Sequence, residues 1–109
     1  MTFVQRYERL TGAMANATDM GPVLQRNGFA YVGYGIDPNV GDVAVWRNNV
    51  IAPNGHIAVV SKVTWDSPGW IITFRGANQG LVGKFTQNNC SNVSLRADLQ
   101  SNKAYYYRR

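Results

Sequence analysis

Apolar positions along this chain change their period near residue 29. Before that point Phe3, Val4, Tyr7 and Leu10 recur at helical spacing while Gln5, Arg6, Glu8 and Arg9 take the other face. That pattern predicts an amphipathic helix over residues 2–11, stopped at Gly12. A second short helix is predicted with Thr18 or Asp19 as N-cap, Pro22 in the first turn, and Val23, Leu24 and Gln25 running to an Asn27-Gly28 stop. From Phe29 onward, β-branched and aromatic runs alternate with turn residues, predicting five or six strands at 29–32, 43–46, 56–65, 70–74, 93–96 and 104–108. Their separators are Asp37-Pro38-Asn39, Ala52-Pro53-Asn54-Gly55, Asp66-Ser67-Pro68-Gly69 and Gln87-Asn88-Asn89, with 66–69 reading as a hairpin turn. Helices first and a meander of strands afterwards predicts an α+β fold, with short helices packed on one face of an antiparallel sheet.

At 109 residues, 45% of them hydrophobic, the chain is expected to form one domain over 1–109. No stretch approaches the roughly 18 apolar residues of a membrane span. Nor does Met1-Thr2-Phe3-Val4-Gln5-Arg6 have the charged-then-apolar order of a signal peptide. Eleven basic against six acidic side chains give a net charge of +5, which favours anionic polymers such as charged wall glycans, teichoic acids or nucleic acid. The charges are scattered, and no helix-turn-helix, RNP or zinc pattern accompanies them, which argues against nucleic acid. A single cysteine, Cys90, cannot make an internal disulfide, and with one histidine it cannot complete a structural zinc site. No cofactor or metal is expected.

His56 is the only histidine. It opens the run Gly55-His56-Ile57-Ala58-Val59-Val60, a buried strand whose first residue is expected at a rigid, partly solvated strand end, a place suited to a catalytic base. A hairpin about 66–69 would bring this strand end near Asn78, since both lie about ten residues from the turn. A one-residue slip would put Asn78 on the opposite face. An amide there can accept the ring's second N–H and fix its tautomer, as the third residue does in a cysteine hydrolase.

These runs resemble the CHAP domain, a cysteine- and histidine-dependent amidohydrolase/peptidase family within the NlpC-like papain superfamily. The resemblance is carried by Leu10-Thr11-Gly12, Ala15-Asn16-Ala17, Asn27-Gly28-Phe29, Gly41-Asp42-Val43-Ala44-Val45-Trp46, the His56 strand, Ala77-Asn78-Gln79 and Tyr105-Tyr106-Tyr107-Arg108. It implies a papain-like fold and hydrolysis of a peptidoglycan amide bond, with His56 as base and Asn78 as orienting residue. It also implies an extracellular, wall- or virion-associated protein. Two positions depart from the family pattern. The family's cysteine stands immediately before the residues corresponding to Thr2-Phe3-Val4, at Met1 or just upstream of it, and its glutamate two residues before the asparagine corresponds to Gly76.

Cys90, in Asn88-Asn89-Cys90-Ser91-Asn92, is the substitute nucleophile the sequence offers, though no predicted helix N-terminus stands there to stabilise a thiolate. An N-terminal Thr2 is a weaker one. Trp46 and Arg75 are candidate groove residues, the indole for stacking on sugar and the guanidinium for an anionic group; core packing and a solvated strand end are their structural readings. Asp42, at the start of an apolar strand, is read as bonding turn amides. Of Tyr105 to Tyr107, which alternate faces, at least one is expected to be exposed. Two functions fit: a peptidoglycan amidase or endopeptidase, or an inactive wall-binding or structural module, for example within a phage tail or similar assembly.

Overall fold

In the computed structural model, described here for residues 19–47, 55–76 and 91–109, six strands join one antiparallel sheet. The elements in chain order are helix α1 (Met20–Arg26), β1 (Ala30–Tyr34), β2 (Val43–Trp46), β3 (His56–Asp66), β4 (Gly69–Gly76), β5 (Ser91–Arg96), a 3-10 turn (Gln100–Asn102) and β6 (Tyr105–Arg108). Across the sheet the order is β1-β6-β2-β3-β4-β5, so the last strand is inserted between the first two. The α+β reading holds in this form, with one short helix among the described residues. The predicted helix over 2–11 lies outside the described residues.

Helix α1 starts after Asp19, whose side chain makes no capping hydrogen bond, and ends as the Asn27-Gly28 signal predicts. Gly28, at φ +90°, donates its N–H to the Gln25 carbonyl while Phe29 donates to that of Leu24. This pair of bonds is the Schellman arrangement, which glycine permits without a Cβ penalty. The buried face of the helix, Met20, Val23 and Leu24, packs on Val43, Val45, Ile57, Val59 and Tyr107. Gly21 sits against the Tyr107 phenol, where a methyl group would overlap Oη.

The opposite face carries a second cluster of Ala44, Trp46, Ala58, Val60, Ile72, Phe74, Ala104 and Tyr106. With both faces covered, β2 and the first five residues of β3 are buried throughout, which is why they read as continuous apolar runs rather than alternating ones. Tyr106 and Tyr107 are both buried, one on each face, and Tyr105 is half-buried. The expectation that one of the three stands exposed gives way because α1 covers one face and the second cluster fills the other.

Two bulges break the ladders. Between β3 and β4 the register shifts at Val60/Lys62, adding Ser61 as an extra residue. Between β1 and β6 it shifts at Tyr31/Gly33, adding Val32. The hairpin tip pairs Asp66 with Gly69 across Ser67-Pro68, as predicted, with that peptide bond cis.

Candidate functional site

His56 is the first residue of β3 and stands directly opposite Trp46, the last residue of β2. Residues directly opposed in an antiparallel pair project to the same side, so the imidazole lies on the face of Trp46, Ala58, Val60 and Phe74, away from α1. Gly55 precedes it at φ +77°, a conformation glycine adopts without strain, and turns the chain into the strand.

His56 is 6% exposed, more deeply set than the partly solvated strand end expected from sequence. The reason is its neighbour: the Trp46 indole lies with its centroid 5.7 Å from that of the imidazole. Trp46 is in turn held by an edge contact to Phe74 at 4.7 Å and by its Nε1–H, which donates to the Asn102 carbonyl at 3.1 Å. At 0% exposure it has no face to offer a sugar. Its groove role is therefore corrected to that of a wall behind His56.

Arg75 is exposed but stands opposite Val59, on the α1 side of the sheet. The groove role assigned to it beside His56 is corrected for the same reason of parity: His56 and Val59, three residues apart in a regular stretch of strand, face opposite ways. Asn78 and Cys90 lie outside the described residues. Gly76, where the family pattern has its glutamate, is buried at the end of β4.

Asp42 does bond a turn amide, accepting from the Asn39 N–H at 2.8 Å. Beyond that reading, Arg108 donates through Nε to Oδ1 and through a second nitrogen to Oδ2, both at 2.7 Å. The carboxylate is 1% exposed, and this fork is the pairing that lets an ionised acid be buried. The backbone of Gly41 and Asp42 also exchanges hydrogen bonds with Val60 at 2.8 Å each. Together these contacts tie the Gly41-Asp42 turn to the second strand it must meet and fix β2 against β3. No local signal in the sequence points to Arg108, 66 residues away.

Among the described residues no group of three or more His, Cys, Asp or Glu side chains is arranged to hold a metal ion. No helix among them is long and apolar enough to cross a membrane.

The sheet thus sets the His56 ring at the buried head of a central strand, against an aromatic wall. The comparison with protein families adds an assignment: the family model of the CHAP domain matches residues 1–79, and the chain belongs to that family. Its class is thus the peptidoglycan amidase/peptidase type of hydrolase domain. The match ends before β5 and β6, although β6 lies inside the sheet, between β1 and β2. No curated protein and no solved structure matches the chain.

Proposed function

We propose that this domain hydrolyses an amide bond of peptidoglycan, outside the cell or on a virion, with His56 as general base and acid and Asn78 as the residue that orients its ring. A thiolate attacks the carbonyl carbon, His56 having taken the thiol proton. The C–N bond breaks as His56 returns that proton to the leaving amine. Water then cleaves the thioester, giving up its proton to His56. The thiol is the one the family carries immediately before the residues corresponding to Thr2-Phe3-Val4.

The observation that carries the reading is the β3–β4 register. Val59 pairs with Arg75, and each step back along β3 is matched by one step forward along β4. Three steps take Val59 to His56 and Arg75 to Asn78, so a ladder continued at this register would set the two opposite each other on one face. Counted from the hairpin pair Asp66 and Gly69 without the Ser61 bulge, the partner of His56 would be Gln79 instead. The Ser61 bulge is thus what supports Asn78 rather than Gln79 as the proposed partner of His56.

The test is a pair of substitutions in the full-length gene product, assayed on purified sacculi. Asn78→Ala is expected to lower kcat by at least ~10-fold through loss of ring orientation, with Gln79→Ala close to wild type. The reverse order would refute the register.

A second reading, a wall-binding module without hydrolysis, is favoured by one sequence observation: methionine precedes Thr2 and the one cysteine is Cys90. Sedimentation onto sacculi without release of amino groups is its signature.

A further inference from the structure

On the α1 side of the sheet, the face turned away from His56, lies a concavity of about 360 Å³ lined by Pro22, Gln25, Tyr31, Arg47, Tyr105 and Tyr107. Its aromatic wall depends on a bulge. Tyr31 and Tyr34, three residues apart, would face opposite ways in a regular strand, but the extra residue Val32 pairs Tyr31 with Tyr107 and Tyr34 with Tyr105 on the same side. Tyr105 consequently has Tyr34 at 4.6 Å and Tyr31 at 6.3 Å, and Tyr31 stands 5.5 Å from Tyr107. Gly33, inside the bulge at φ +147°, takes a conformation that side chains rarely adopt.

Arg47 follows the last residue of β2 and lays its guanidinium over the Tyr105 ring, 4.3 Å from the centroid. It is exposed, and among the described residues no carboxylate pairs with it. Stacking on Tyr105 and a hydrogen bond to the Tyr107 hydroxyl fix the guanidinium, leaving its remaining N–H groups to bind an anion. Tyr31 is 47% exposed, so one aromatic face remains open beside that cation. The tyrosine rings are tilted by 37° to 54° against one another; no two form the parallel walls that would sandwich a flat base. One open ring face, a rim of phenol and amide groups, and a fixed guanidinium suit a pyranose, whose C–H face lies on the ring and whose hydroxyls meet the rim.

We infer that this concavity is a second binding site, for a saccharide unit bearing an anionic substituent, separate from the His56 site and on the opposite face of the sheet. The site holds a charged glycan while the His56 face remains free, so it acts as a built-in anchor on a polymer.

Titration of the isotope-labelled full chain by NMR with three monosaccharides tests this. N-acetylmuramic acid carries a carboxylate, N-acetylglucosamine 6-phosphate a phosphate, and N-acetylglucosamine neither. At least one charged sugar is expected to bind about tenfold tighter than the neutral one, perturbing the Tyr31 and Tyr105 rings and the Arg47 Nε–H. Which charged sugar leads tells carboxylate-bearing from phosphate-bearing glycans. Arg47→Ala is expected to abolish the preference, Tyr31→Ala to weaken all three about fivefold, and His56→Ala to leave these sugar affinities unaltered. Equal binding of the three, perturbations confined to the His56 face, or tighter binding of a dinucleotide would each overturn the inference. Because the readout is binding to the His56→Ala chain as well, it stands or falls independently of hydrolysis.

Discussion

Among the described residues the two buried polar side chains of the core, Asp42 and His56, show how much of a side chain's role depends on what lies opposite it. Asp42 is held by groups from its own turn and from β6, so its charge is spent on structure. His56 is backed by an indole that is itself anchored at both ends, leaving the imidazole fixed in place. Tyr106 adds a pH dependence at this scale. Its phenol is raised above the ordinary value of 10.0 by burial first and by the negative charge of Asp42 second. Between the unfolded and folded values the unfolded chain has lost the phenolic proton while the folded one retains it. Stability is thus fully present below pH 10 and falls as pH rises beyond it. Tyr106→Phe is expected to reduce the slope of stability between pH 10 and 12, measured from urea midpoints; an unchanged slope would assign the alkaline loss to other groups.

At the scale of elements, the sequence made β2, the head of β3 and the 66–69 turn legible, because central strands leave continuous apolar runs and turns leave Asx, proline and glycine. The end of α1 was legible for the same reason. Strand order was not. Nothing local says that Tyr105–Arg108 inserts between β1 and β2, and the partners that depend on that insertion, Arg108 for Asp42 and the tyrosine wall for Arg47, were out of reach. The bulges at Ser61 and Val32 were equally silent, since an extra residue in a strand has no composition of its own. Arg75 was misplaced as a groove residue because periodicity gives alternation but not which face carries the site, and Trp46, on the His56 face, because no local pattern shows that Phe74 and Asn102 enclose its indole. The packing of α1 on the sheet yields its own expectation. Gly21→Ala, which drives a methyl into the Tyr107 phenol, is expected to cost about 1–3 kcal/mol in chemical denaturation. Tyr107→Phe in the same chain should recover part of that loss, and no recovery would mean the close approach is not what the glycine serves.

For the whole molecule, the arrangement divides labour between the two faces of one sheet. One face holds His56 against its aromatic wall. The other carries α1 and, beyond its edge, the tyrosine and Arg47 concavity. A net charge of +5 favours anionic polymers without choosing among them; the function proposed above makes peptidoglycan the one to test. Hydrolysis by this domain turns on the role proposed for His56. The most direct measurement is the release of new amino groups from purified sacculi by the full-length gene product and by its His56→Ala variant, with folding of both checked by circular dichroism. The expected result is steady release by the wild type and a fall of about 10²-fold or more in the variant. Release by a folded His56→Ala protein at the wild-type rate would contradict it.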